Sequence, residues 1–396
     1  MLTLDKVFNA QTVLKSIIRE TNVVRAYGIA PDCELYLKPE NLQITGSFKV
    51  RGSAYKIAML SDEEKKKGVI ACSAGNHAQG VALAATKNSI RSLICLPDTA
   101  PISKVEATKG FGAEVCLVEG CYDDAYKKAL ELRDSKGYTF VHPFDDENVI
   151  AGQGTIALEI LNDLDNIDAI VVPIGGGGLI SGIAYTVKQI RPSVKVYGVQ
   201  AAGAPSMFNS VKKGEIECLS GVSTIADGIA VKQPGENTFR YVSEYVDEVA
   251  LVTDDEVASA ILALIEKQKM IAEGAGATAV AAVMAGKFDL KGKRVVAVVS
   301  GGNIDVTSLS RVIDRGLLNS GRSSSLLIEL IDKPGQLKEI SSIIADCGGN
   351  VTGVHYEKGN TESVNGCFLR IEMETRDFEH VNLITKMLRD EGFKLV

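Results

Sequence analysis

The chain has no CxxC pair and only four histidines, His77, His142, His355 and His380, none at the spacing of a zinc site. A metal centre is therefore not expected. The eight cysteines (33, 72, 95, 116, 121, 218, 347 and 367) are scattered, several of them inside apolar runs such as LICLP, and read as reduced and mostly buried. No long basic run exists. Lys65-Lys66-Lys67 follows Glu63-Glu64 and reads as a solvated helix face, and the net charge is -7, which argues against a nucleic-acid partner. Charges and glycines interrupt every apolar stretch, so neither a membrane span nor a signal-type N-terminus is expected, and a cytoplasmic location is.

What is present is an ordinary globular composition, 45% hydrophobic and 23% charged over 396 residues, enough for two or three domains. From about residue 66 short apolar runs alternate with longer amphipathic stretches. Val69 to Cys72, Ser92 to Leu96, Ala113 to Val118, Ala169 to Ile174, Lys195 to Gln200, Glu248 to Val252 and Arg294 to Val299 read as strands, with helical patterns between them. Such alternation predicts an α/β fold of parallel sheets covered on both faces. Sheets of this kind bind ligands beyond the carboxyl ends of their strands. SAGNH, GGGGL and SGGN each follow a strand candidate.

TGSFKVRG (45–52) sets one lysine, Lys49, between glycines and beside Phe48. A lysine that attacks a carbonyl must be desolvated and must sit where backbone can approach a flat ligand. The competing reading is a solvated lysine in a turn. PIGGGGLISG (173–182) places Gly175, Gly176, Gly177, Gly178 and Leu179 between a strand and a helix, where bare N–H groups and the helix terminus suit a phosphate. The spacing is not that of a dinucleotide fingerprint, and no Walker lysine follows. In SAGNH, Ser73, Ala74, Gly75, Asn76 and His77 form a candidate loop for a substrate carboxylate, against the alternative that Ser73 and Asn76 cap a helix. Ser300 ends an apolar strand, and Glu273 in EGAGA is either a cap or a carboxylate near the reacting centre. Together these pieces suit an aldehyde held by Lys49, a phosphate on the glycine loop, a ring oxygen at Asn76 and a pyridine nitrogen at Ser300, with Phe48 near the ring. Those are the parts of pyridoxal 5′-phosphate.

Near residue 316 the character changes. GLLNSGRSSS reads as a linker, assigned to 316–324, and residues 325–396 follow as strand, helix, strand, strand, helix, strand, the ferredoxin-like βαββαβ order. Leu337, Ile340, Ile344 and Cys347 fall on one helical face, and Cys367, Leu369, Ile371 and Met373 alternate as in a half-buried strand.

GSFKVRG, CSAGNHAQG, VIAGQGT, PIGGGGLI, AEGAGA and SGGNID, in that order, resemble the threonine dehydratase (threonine ammonia-lyase) group of fold-type II, tryptophan synthase β-like, pyridoxal-phosphate enzymes. The resemblance covers about residues 5–315 and implies a catalytic part, 1–315, with a small domain of roughly 46–148 inserted in a large one. It also implies that L-threonine displaces Lys49, that Lys49 removes the α-proton as base, and that water leaves with help from the cofactor phosphate. The products are then 2-oxobutanoate and ammonia, or pyruvate from L-serine. Related serine racemases carry a second serine where this chain has Ala74, so racemisation is expected to be minor. Their divalent-metal site uses acidic residues where this chain has Gln200 and Ser206, and no metal is expected there. DKPGQL and GGNV in the tail resemble an ACT domain. That resemblance implies an amino-acid effector of the isoleucine or valine class held near Asp332, Gly335, Gln336, Leu337 and Asn350, the alternative being a purely dimerising unit. A homodimer or homotetramer is expected. β-Replacement and a catalytically silent amino-acid sensor are the other functions the sequence leaves open.

Overall fold

Val69-Ile70-Ala71-Cys72 is buried at every position, and so are Ser92–Pro97 and Ala169–Pro173. A strand without a solvated face needs cover on both sides, which is the condition of a parallel sheet. In this computed structural model, which describes residues 1–357 and 366–396, the strands of the first 309 residues run in chain order β1 Val24–Arg25, β2 Glu34–Pro39, β3 Val69–Cys72, β4 Ser92–Pro97, β5 Glu114–Val118, β6 Thr139–Phe140, β7 Ala169–Pro173, β8 Lys195–Ala201, β9 Glu248–Val252 and β10 Arg294–Val299. All seven expected strands are present, with ends shifted by a residue at most.

β1, β2 and β6 were not foreseen. β1 and β6 are two residues long. β2 is hidden by its charges: Lys38 is fully buried in it, paired at 2.6 Å with Glu159 of the helix Glu147–Asp163. A buried ion pair removes the hydrophobic signal that marks a central strand.

The strands form two sheets, in the orders β1-β2-β10-β7-β8-β9 and β5-β4-β3-β6. Every pairing is parallel except β1 with β2. The strands of the second sheet all lie between β2 and β7 in the chain. The helix Lys49–Ala58 leads from the first sheet toward the second and is gripped by the helix Glu147–Asp163. There Gly52 and Gly152 meet so closely that a Cβ on Gly152 would lie 2.7 Å from the Gly52 Cα. Arg51, on the same helix, is fully buried and forked between Glu40 and Glu159. Lys49 therefore starts a helix whose position is fixed by backbone contact and by a buried charge cluster. Among the described residues no helix is long and apolar enough to cross a membrane.

The chain divides into two compact units, Met1–Leu309 and Ser310–Val396. In the second, β11 Ser323–Ile331, β12 Asn350–Glu357, β13 Gly366–Glu374 and β14 Lys394–Leu395 form an antiparallel sheet in the order β12-β13-β11-β14, with helices Gln336–Asp346 and Phe378–Asp390. This is the ferredoxin-like arrangement. Cys367, Leu369, Ile371 and Met373 are buried with Ile340, Ile344, Ile384 and Leu388.

Leu337 shares the helical face of Ile340 and Ile344 but, as the second residue of its helix, is left 46% exposed. One expectation is corrected here. The stretch 316–324 is no irregular linker: the helix Val306–Asn319 runs through its first four residues, and Ser323-Ser324 open β11. Gly316 weakens a helix without ending it while its carbonyl still accepts from Ser320 N–H at 3.1 Å. The serines become strand because Glu374 and Met373 of β13 stand opposite them.

Candidate active site

The carboxyl ends of β3, β7 and β10 open onto one cleft of about 1010 Å³. The segment before Lys49 is stitched to the end of β10: Phe48 N–H donates to the Ser300 carbonyl at 3.1 Å, and Ser47 bridges Gly301. This bond places Lys49 in the cleft. Its Nζ donates to the Pro143 carbonyl at 2.9 Å and lies 5.3 Å from the centre of the Phe48 ring. Burial lowers the Lys49 pKa to about 8, with Glu273 pulling weakly the other way. A neutral amine is therefore within reach near neutral pH, as a nucleophilic lysine needs.

The glycine loop lies between β7 and the helix Gly178–Ile190. Gly177 sits at φ +97°, and a Cβ on Gly176 would strike the Phe144 ring at 2.4 Å. Thr238 Oγ1 donates to the Gly176 carbonyl at 2.6 Å, which holds the loop from behind. The N–H groups of Gly176, Gly177, Gly178 and Leu179 have no acceptor among the described residues and stand at a helix N-terminus, an anion cradle.

Asn76 begins the helix Asn76–Lys87. That helix is capped by Gly75 without any side-chain bond, so the alternative of Ser73 or Asn76 as a cap is not what the structure shows. The Asn76 Nδ2 donates to Glu273 Oε1 at 2.6 Å, and its Oδ1 accepts from Asn303 Nδ2 at 2.7 Å. Glu273 occupies the N-cap position of the helix Gly274–Met284 but makes no capping bond. Its carboxyl is pushed up to about 7, first by burial and then by the charge of Asp227, and is eased by the Asn76 bond. Asp227 pairs with Lys104 at 2.9 Å. Ser300 is buried, and its hydroxyl makes only a long 3.4 Å contact with the Ala275 carbonyl among the described residues. Ser73 Oγ accepts from Gly75 N–H at 3.2 Å. Ala74 and Gly75 line the cleft, and the space around the Gly75 Cα is open.

His77 lines the cleft with the rest of its loop, but its ring is tied to backbone. Its Nε2 donates to the Val141 carbonyl at 2.8 Å, Ser53 lies 3.5 Å from its Nδ1, and burial, with the charge of Lys49, drives its pKa down to about 3, so the ring is neutral. Asn303, Phe144, Pro143, Asp227 and Lys104 also line the cleft and were not singled out from the sequence. For Pro143 and Phe144 a signal existed, since HPF follows a strand end, but that strand, β6, is too short to notice.

In the second unit, Asp332, Gly335, Gln336 and Leu337 line one cavity of about 190 Å³ with Leu330, Val354 and Tyr356. Asn350 is not part of it. It opens β12 opposite Glu374, and its amide donates to that carboxylate at 2.9 Å.

A depressed lysine, a bare anion cradle and a buried neutral hydroxyl around one cleft define an enzyme that holds a phosphorylated aldehyde on a lysine. The residues fit pyridoxal phosphate part by part: the N–H groups of Gly176 to Leu179 would hold the phosphate, Lys49 the aldehyde, Asn76 the ring oxygen and Ser300 the ring nitrogen. The pattern of the family described as "Pyridoxal-phosphate dependent enzyme" matches residues 14–301, and the chain belongs to that family. It is 48% identical over 398 residues to a protein of Thermotoga maritima named L-threonine ammonia-lyase, covering 100% of this chain and 99% of the relative. It is 43% identical to a protein of the same name from Geobacter sulfurreducens, covering 99% and 98%. Among solved structures, the processed form of threonine deaminase isoform 2 from Solanum lycopersicum superposes with a TM-score of 0.77 at 38% identity, covering 80% of this chain and 88% of that one. Maize serine racemase superposes with a TM-score of 0.75 at 33% identity, covering 80% and 98%.

Proposed function

We propose that the chain removes water from L-threonine to release 2-oxobutanoate and ammonia, and converts L-serine to pyruvate in the same way. The observation that carries the substrate assignment is the similarity over the whole chain to the Thermotoga protein named for that reaction, and the cleft lined by Lys49, the glycine loop, Asn76 and Ser300 supports it. When bound, the cofactor supplies the electron sink for the substrate α-carbon.

The chain's own residues do the rest. Lys49, with a pKa near 8, is a base of suitable strength for the α-proton. The Pro143 carbonyl holds its Nζ inside the cleft. The open backbone at Gly75, at the start of a helix, receives the substrate carboxylate. The Ser300 hydroxyl meets the ring nitrogen as a neutral group, which leaves the ring a milder sink than an aspartate would. That suits elimination, where the carbanion is brief. Ala74 offers no hydroxyl for returning a proton, so D-serine is a minor product.

We also infer that the C-terminal unit is an ACT-type module taking an effector of the isoleucine or valine class. The cavity around Asp332, Gly335, Gln336 and Leu337 supports this reading, since it pairs apolar walls with a helix N-terminus able to receive a carboxylate. A cytoplasmic homo-oligomer belongs to the same proposal. The test is the initial rate of ketoacid formation from L-threonine and L-serine, repeated with each branched-chain amino acid. Ketoacid from threonine, altered by one of these effectors, is expected. No ketoacid from either substrate would sink the lyase assignment, and effector-independent rates would sink the regulatory one.

A further inference from the structure

We propose that Asn303 is a positioning residue that sets which end of the Asn76 amide faces the cofactor. The inference rests on reading the cleft as the pyridoxal-phosphate site. An asparagine amide can turn over, presenting either two donors or an acceptor. Here the choice is made through one intervening side chain, by the Thr45 backbone carbonyl.

The Thr45 carbonyl can only accept. Asn303 must therefore turn its NH₂ toward it, at 2.7 Å. The same Nδ2 carries a second hydrogen, donated to Asn76 Oδ1 at 2.7 Å. With its oxygen so engaged, Asn76 presents its own NH₂ to Glu273 Oε1 at 2.6 Å and keeps one N–H for the cleft. The relay from Thr45 through Asn303 and Asn76 to Glu273 has one consistent direction.

A second, separate observation holds it in place. Gly46 has φ +70°, and a Cβ there would lie 2.3 Å from Asn303 Oδ1, so the Asn303 amide is seated against bare backbone. Gly302 N–H donates to the Gly46 carbonyl at 2.9 Å and locks the two segments together. The turn before Lys49 thus determines the polarity of the group that meets the cofactor's ring oxygen. An N–H there favours the ionised oxygen, and a carbonyl would disfavour it.

The test uses holoenzyme and follows the pH midpoint of the bound cofactor's visible absorbance. Circular dichroism and thermal melting check the fold. Asn303→Asp is nearly isosteric but cannot donate, so Asn76 turns its NH₂ toward the new carboxylate and its carbonyl toward Glu273 and the cleft. The protonation midpoint is expected to rise by about one pH unit, tenfold in proton affinity, with kcat falling more than KM rises. Asn303→Ala and Gly46→Ala free the Asn76 amide and should raise the midpoint in the same direction by less. They also decide the matter if the aspartate variant does not fold. A merely structural role lowers the melting temperature and leaves the midpoint unmoved. Folded, cofactor-loaded variants with the wild-type midpoint would overturn the proposal. If instead borohydride traps no adduct on Lys49 of the wild type, it is the underlying cofactor reading that fails.

Discussion

Lys49 and Arg51 stand two residues apart at the start of one helix, and both are held inside the protein, yet they live in opposite electrostatic worlds. Burial pulls the arginine down, and Glu40 and Glu159 outweigh it, so its pKa moves up. Both oxygens of Glu40 accept from Arg51 at 2.8 Å, both oxygens of Glu159 at 2.6 and 2.7 Å, and Thr155 adds a bond at 3.1 Å. Lys38 joins the cluster through Glu159 and the Thr21 carbonyl, so two cations face two carboxylates. Burial also pushes Glu40 up, and the Arg51 guanidinium reverses it. Lys49 has one carbonyl for a partner and feels Glu273 only through space, so burial wins and its pKa falls to about 8. The supply of partners, not burial alone, separates a cation locked in its charged form from one left ready to lose its proton.

That contrast is open to direct attack. The largest effect is expected from Lys49→Ala, which should reduce ketoacid formation by at least about a thousandfold while the denaturant midpoint of the cofactor-free protein stays at or above that of cofactor-free wild type, because an uncompensated buried cation is gone. Next comes Arg51→Met, which strands two buried carboxylates and should cost about 3–5 kcal/mol of stability in urea unfolding. If Lys49→Ala destabilised the protein more than Arg51→Met, the division of roles would be wrong.

The smallest effect concerns pH. The folded pKa of Glu273 is about 7, above its ordinary 4.5. The native state therefore binds the extra proton between those values. Its contribution to stability is fully present below about 4.5 and is lost as pH rises through about 7. Glu273→Gln should remove a component on the order of 3 kcal/mol from the fall in melting stability across that window. Lys49 has the reverse sign. Its lowered pKa makes stability rise with pH between about 8 and its ordinary 10.5, a slope that Lys49→Ala should flatten.

The glycine-framed half of this comparison is legible in the sequence and the ion-paired half is not. Lys49 is framed by glycines, and Gly175 to Gly178 are consecutive, because backbone must come close to a ligand, and glycine leaves a visible trace. Arg51 leaves none. An arginine beside a lysine reads as surface charge until Glu40, 11 positions back, and Glu159, 108 positions on, are brought against it. The same cluster hid β2, since Lys38 breaks its apolar pattern. Asn303 lay within a motif already noticed, but nothing local shows that its amide spans Thr45 and Asn76. In the tail, alternation marked β13 correctly because its partner face is continuous. The serines of β11 and the glycine in the helix before it were misread because their state depends on neighbours supplied from elsewhere in the chain.

By itself the sequence determined seven of the strands in the first unit, the parallel sheets, and the bare glycine backbone around Lys49 and at Gly175 to Gly178, since each follows from local periodicity or from composition. Only the tertiary structure decided which buried cation is neutralised, that Glu273 meets Asn76 rather than capping its helix, that the His77 ring is tied to the Val141 carbonyl, and which way the Asn76 amide faces. Those outcomes depend on charge and hydrogen-bond direction across space. Residues far apart in the chain set both, and no short window of sequence contains them.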